Sequence, residues 1–77
     1  MPRITPVHWK ILDCIFKLFG FTFERHKGDH RSYTCPGNPR PVVIPTYKEV
    51  DIDIIKSNMR TAGMSRAQYF KLLAACQ

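Results

Sequence analysis

The segment FTFERHKGDHRSYTC, residues 21–35, decides the fold of this chain. Before and after the tripeptide KGD at 27–29, successive side chains follow the two-residue alternation of a β-strand, which places them on opposite faces of a sheet. The tripeptide itself is typical of a turn. Two alternating runs joined by so short a turn predict an antiparallel β-hairpin, with strands over 21–26 and 30–35. Because side chains alternate along a strand, His30 shares a face with Ser32 and Thr34 and lies opposite Arg31, Tyr33 and Cys35.

A helix is predicted before the hairpin. Thr5 is a suitable N-cap, Pro6 suits the first helical position, and Gly20 stands where a helix often ends, so we expect a helix over 6–19. Its core-facing stripe consists of apolar residues at spacings of three and four. These residues are Val7, Ile11, Cys14, Ile15 and Leu18, flanked by Leu12, Phe16 and Phe19.

One strand and two helices are predicted after the hairpin. The segment Pro41 to Pro45 predicts a short strand, which the prolines at its two ends confine to a sheet edge or to a few paired residues. Asp51 caps a second helix that Gly63 ends, and the capping box Ser65-x-x-Gln68 opens a third. The order α-β-β-β-α-α predicts an α+β fold over residues 1–77. Its three-stranded antiparallel sheet carries helices on one face, in the order found in double-stranded RNA-binding domains.

Composition and charge narrow the classes of partner. The chain has 77 residues, with 12 Lys and Arg against 6 Asp and Glu and a net charge of +6. Such an excess on one small domain suits a polyanion: nucleic acid, an anionic membrane surface or an acidic protein. No apolar run approaches the roughly 18 residues that a membrane span needs, and no signal-peptide pattern is present. We therefore expect a cytoplasmic protein that does not span a membrane.

The cysteines and histidines predict neither disulfides nor a metal site. Cys14, Cys35 and Cys76 are odd in number and far apart, which indicates three free thiols in a reducing compartment. No Cys-x-x-Cys or His-x3-His pair is present to begin a zinc site. We expect no metal and no small-molecule cofactor.

His30 is the candidate catalytic residue. A histidine titrates near neutral pH and can take or give a proton. RNA carries its own nucleophile, the 2′-OH, so a protein that aligns this hydroxyl and moves a proton can cleave RNA without a metal. Lys27 and Arg31 flank His30 and are candidates to hold the phosphodiester, which Gly28 allows to approach closely. The alternative is that His30 is simply a polar residue opening a strand.

The motif around His30 resembles one found in HicA toxins. KGDHRSY, residues 27–33, is similar to the glycine-serine-histidine strand motif of these messenger-RNA-cleaving proteins of bacterial and archaeal toxin–antitoxin pairs. Further segments match the family in order. They are Gly20-Phe21-Thr22-Phe23, Val43-Ile44-Pro45, Lys48-Glu49-Val50 and Thr61-Ala62-Gly63-Met64-Ser65.

The resemblance implies a fold, an activity and a partner. The fold is similar to a double-stranded RNA-binding domain, and the activity is metal-independent endoribonuclease cleavage of mRNA with His30 as the catalytic residue. The partner is a HicB-type antitoxin that covers the active surface. Two departures stand out: Asp29 replaces a common serine, and Thr46-Tyr47 replaces a histidine that many members carry after the third strand.

Two other hypotheses stay open alongside the enzyme. A non-catalytic module of the same fold would bind RNA, with Lys10 on the polar face of the first helix as a further RNA contact, or it would bind only an acidic antitoxin. Duplex RNA is disfavoured, because the start of the second helix carries acids where duplex-binding domains place lysines. These acids are Glu49, Asp51 and Asp53.

Overall fold

The computed structural model describes residues 3–77. In chain order its elements are α1 (Trp9–Phe19), β1 (Thr22–Lys27), β2 (His30–Cys35), β3 (Asn38–Pro45), α2 (Ile52–Ala62) and α3 (Arg66–Cys76). The strands form one antiparallel sheet in the order β1-β2-β3. The predicted α-β-β-β-α-α arrangement is confirmed.

The core lies between the helices and one face of the sheet. The sheet contributes Tyr33, Val42 and Ile44, all fully buried, and α1 packs Leu12 and Phe16 against them. The hydrophobic effect of burying these side chains is the main force that holds the helices on this face. The opposite face of the hairpin is left open. Each helix described within residues 3–77 has 11 residues, and none is long and apolar enough to cross a membrane.

The first helix begins later than the sequence predicts. Its N-cap is His8, whose Nδ1 accepts a hydrogen bond from the Lys10 amide at 3.1 Å, so the expectation of Thr5 as N-cap and Pro6 as first residue is wrong. The physical reason is a tertiary contact. Val7 forms an isolated antiparallel bridge with Val50, whose N–H donates to the Val7 carbonyl at 2.7 Å. That bridge holds Val7 outside the helix.

The other predicted helix ends are confirmed. Gly20 ends α1, Asp51 caps α2, and Gly63 ends α2 with a φ of 72°, in the left-handed region that favours glycine. Ser65 and Gln68 form both bonds of the capping box at the start of α3.

The third strand lies at an edge of the sheet, which is one of the two possibilities that its prolines left open, but it begins earlier than predicted. It starts at Asn38 rather than Pro41. The Asn38 side chain explains the extension, because its Nδ2 donates to the Thr61 carbonyl at 3.0 Å and so ties the start of β3 to the end of α2.

The prediction of three free thiols is wrong for two of the cysteines. Cys14 of α1 and Cys76 of α3 form a disulfide, with their Cα atoms 5.9 Å apart, whereas Cys35 is free. The two residues are 62 positions apart in sequence, but α3 packs directly on α1 and brings them together. The wide spacing of the cysteines in the sequence therefore did not show that Cys14 and Cys76 lie side by side in the fold.

Candidate functional site

A shallow depression of about 540 Å³ lies on the open face of the hairpin, around its turn. It is lined by Arg25, Lys27, Gly28, Asp29, His30 and Ser32. The register of the two strands explains this grouping, because Lys27 pairs with His30 and Arg25 pairs with Ser32. Side chains of such cross-strand partners lie on the same face, with Cβ atoms roughly 5 Å apart.

The turn leaves the depression accessible from solvent. Gly28 has a φ of 58°, a conformation that residues with a Cβ adopt at a cost, and no atom beyond Gly28 and its two chain neighbours lies within 4 Å of where its Cβ would be. His30 follows as the first residue of β2 and is exposed. A ligand backbone can therefore approach His30 over the glycine without displacing a side chain.

The turn is held from the end of β3. The Asp29 carbonyl accepts two hydrogen bonds from Thr46, one from its backbone N–H at 2.7 Å and one from its Oγ1 at 3.1 Å. Because Thr46 directly follows β3, these bonds tie the hairpin turn to the end of the neighbouring strand.

Arg31 lies on the other face of the sheet from His30. Its Nε donates to the Tyr33 hydroxyl at 2.9 Å, and its Nη2 lies 3.7 Å from Asp13 Oδ1. The guanidinium also packs over two rings, 4.1 Å from the centroid of Phe23 and 5.0 Å from that of Trp9. The structure thus does not bring Arg31 together with His30, although the two are adjacent in sequence.

Tyr33 completes this group of contacts beneath the sheet. Burial is the main cause that raises its pKa from the ordinary 10.0 to about 12, and the nearby Asp13 carboxylate acts in the same direction. The hydroxyl is therefore protonated at neutral pH and donates to Asp13 Oδ1 while it accepts from Arg31. Lys17 adds an ion pair to the other Asp13 oxygen at 3.1 Å.

The remaining predicted contact, Lys10, is also away from the depression. It lies on α1 with its Nζ 5.9 Å from the centroid of the Trp9 ring. Of the residues proposed from the sequence, the depression contains His30, Lys27 and Gly28. It also contains Arg25 and Ser32, which the sequence analysis missed. The signal that would have identified Arg25 is its position two residues before Lys27 on the same strand, and therefore on the same face.

The depression has the composition of an anion site with a proton-transfer group. Arg25 and Lys27 are its cations, Asp29 is its single carboxylate, and His30 pairs with Lys27 across the hairpin. Within residues 3–77 no three His, Cys, Asp or Glu side chains converge as ligands for a metal ion. An arrangement of this kind can hold a phosphodiester between two cations and move a proton beside it.

Comparison with known proteins identifies the family. A search of curated proteins returned no match. A family model described as the HicA toxin of bacterial toxin–antitoxin systems matches residues 9–64, which is more than half of the 77-residue chain. The matched residues run from the start of α1 to just beyond α2 and include the whole sheet with its depression. The chain therefore belongs to the HicA family of toxins.

Proposed function

We propose that this toxin is a metal-independent endoribonuclease that cleaves mRNA in the cytoplasm, with His30 as general acid or base. The observation that carries the proposal is the position of His30, exposed on the open face directly opposite Lys27 and next to the Arg25–Ser32 pair. Family membership supports a toxin role, and the depression supplies a place where RNA chemistry can occur.

The reaction follows from the chemistry of RNA. The 2′-oxygen attacks the adjacent phosphorus, and the bond from phosphorus to the 5′-oxygen breaks, so the products end in a 2′,3′-cyclic phosphate and a 5′-hydroxyl. The 2′-OH loses one proton and the 5′-oxygen gains one. His30 makes one of these transfers and water makes the other. Arg25 and Lys27 pair with the non-bridging oxygens, whose negative charge grows in the transition state.

The substrate that fits this surface is single-stranded RNA. The depression is open and shallow, and its cations are those of one β-strand rather than a line spanning successive minor grooves. Glu49, Asp51 and Asp53 are exposed at the start of α2, and Asp51 is engaged as its N-cap. Three carboxylates there would repel a duplex backbone.

The protein partner in this proposal is a HicB-type antitoxin. A toxin–antitoxin family implies an antitoxin, and the net charge of +6 favours an acidic one through steered association. Binding over the depression would exclude RNA from His30.

The test is cleavage of a labelled mRNA in the presence of a chelator by wild-type protein and by His30→Ala. We expect wild type to cleave and His30→Ala to lose at least about 100-fold in rate, the lower end of the range for a general acid or base. His26→Ala is the matched control, because His26 is also an exposed histidine of the hairpin but pairs with Arg31 on the other face. Arg25→Ala and Lys27→Ala should raise KM and lower kcat, because their contacts with the phosphate strengthen in the transition state.

Three outcomes would contradict the proposal. Binding without cleavage by wild type would leave the non-catalytic RNA-binding module. Equal cleavage by wild type and His30→Ala would assign the chemistry to another residue or to a contaminant. Loss of activity in chelator, restored by added metal, would refute the metal-independent mechanism.

A further inference from the structure

His30 is exposed, and both of its sequence neighbours are held. In the part of the chain that the structure describes, residues 3–77, the His30 imidazole has no hydrogen bond or ion pair. Asp29 before it is held through its carbonyl by Thr46, and Arg31 after it is held through its side chain by Asp13 and Tyr33. The chain is therefore held on both sides of His30, which restricts the direction in which its Cα–Cβ bond leaves the strand.

The hold on Asp29 comes from β3. Pro45 pairs with His30 across the sheet, and Thr46 directly follows Pro45. Both Thr46 donors meet one carbonyl oxygen, at 2.7 Å from the amide and 3.1 Å from Oγ1. This fixes the second half of the turn against the neighbouring strand, 17 residues away along the chain.

The hold on Arg31 comes from α1. Asp13 has only 19% of its side chain exposed, and so has Arg31, so this charge pair is weakly screened by water. The rings of Phe23 and Trp9 restrict the guanidinium further. Because side chains alternate along a strand, holding Arg31 on the helix side directs His30 to the open side.

We propose that Thr46 and the Asp13–Arg31 pair are positioning residues that hold the imidazole of His30 toward the depression. The inference rests on the proposed catalytic role of His30. In it, Thr46 fixes the turn through the Asp29 carbonyl, and Arg31, paired with Asp13 on the helix side of the sheet, fixes the chain after His30. Catalysis depends steeply on such placement, since a displacement of about 1 Å can cost about 100-fold in rate.

The sharpest test is Thr46→Val compared with Thr46→Ser. Valine keeps the backbone N–H and the β-branch but removes the Oγ1 donor, whereas serine keeps that donor. We expect Thr46→Val to lower kcat about tenfold with KM changed less than twofold, because Arg25 and Lys27 still bind the RNA. Thr46→Ser should retain kcat within about twofold of wild type. Asp13→Asn should lower kcat in the same way.

A second readout does not depend on cleavage. Backbone ¹⁵N order parameters of Gly28, Asp29 and His30 in the free protein should be near the rigid value of about 0.85 in wild type and fall in Thr46→Val. Thr22→Val is the control, since it makes the same exchange at an exposed position at the far end of β1. It should change neither the order parameters nor kcat.

The outcomes separate the two proposals. No cleavage by wild type would refute the proposed function, while the order parameters would still test the hold on the turn. An unchanged kcat or unchanged order parameters in Thr46→Val would overturn the inference. So would a rise in KM alone, or a Thr46→Ser variant as slow as Thr46→Val.

Discussion

Asp13 of α1 has several partners beneath the sheet. Helical spacing puts it on the polar side of α1, and a carboxylate there would ordinarily be solvated. In the structure it accepts from the Tyr33 hydroxyl and pairs with Lys17 and Arg31. A half-buried carboxylate needs such partners, because removing it from water is costly. Part of the polar side of α1 therefore packs against β2 and is not exposed to solvent.

Tyr33, which contacts Asp13 and Arg31, should make the stability of the protein depend on pH in the alkaline range. Its pKa is raised from 10.0 to about 12 in the folded protein, so its contribution to stability is complete below pH 10 and is lost as the pH rises from 10 to about 12. We expect the free energy of unfolding of wild type to fall over this range. In Tyr33→Phe the fall should be shallower, as measured by urea unfolding at several pH values.

Tyr69 is the internal reference for that experiment. Burial also raises its pKa, so some alkaline loss of stability should persist in Tyr33→Phe. Absorbance of phenolate gives an independent check, because the Tyr33 phenolate should form above the ordinary tyrosine pKa of 10.0 and should be missing from the titration of Tyr33→Phe. Parallel loss of stability in wild type and Tyr33→Phe would contradict the assignment.

The sequence predicted the sheet face of a residue well where alternation along one strand is enough. It predicted less well which residues of two paired strands lie together. Alternation along β2 correctly separated His30 from Tyr33. The same alternation places Arg31 beneath the sheet, yet its adjacency to His30 suggested a shared site. Arg25 was missed because its link to His30 runs through the pairing of Arg25 with Ser32 across the hairpin. Strict alternation along β1 would place Arg25 on the same face as Phe23, but the bulge between them breaks the alternation, so Phe23 pairs with Tyr33 while Arg25 pairs with Ser32 on the open face.

At the scale of elements, local capping signals were reliable except where a tertiary contact competes with them. Asp51 and the Ser65–Gln68 box use bonds within a few residues, and both caps are present. Thr5-Pro6 is an equally good local signal. It fails because Val7 pairs with Val50 before the helix begins.

The capping box of α3 should contribute measurably to stability. Ser65 Oγ accepts from the Gln68 amide at 3.1 Å, and Gln68 Oε1 accepts from the Ser65 amide at 2.8 Å. Ser65→Ala removes the first bond and should lower the free energy of unfolding by about 1 kcal/mol, measured by urea denaturation. Ser57→Ala is the control, because Ser57 is exposed inside α2, where alanine is the better helix former. A Ser65→Ala variant as stable as Ser57→Ala would show that the box contributes nothing.

At the scale of the whole molecule, the Cys14–Cys76 bond links the two ends of the fold. It joins α1, the first element, to α3, the last, which lies beyond the residues matched by the family model. A cross-link over 62 residues restricts the unfolded chain strongly. The stabilisation by this disulfide should be a large part of the total free energy of unfolding, because a domain of this size has a small core.

We therefore expect the oxidised protein to be more stable than the reduced one by about 2–4 kcal/mol. Urea unfolding with and without dithiothreitol measures the difference, and thiol titration under denaturing conditions should find one free thiol in the oxidised protein and three in the reduced protein.

Cysteine variants assign that difference to the Cys14–Cys76 bond. Cys76→Ser should have the lower stability whether or not reductant is present, because it cannot form the cross-link. Cys35→Ser is the matched control, since Cys35 is the free thiol, and it should keep the full response to dithiothreitol. Equal unfolding midpoints for oxidised and reduced wild type would refute the stabilising role. A response lost in Cys35→Ser but kept in Cys76→Ser would mean that the bond involves a different pair.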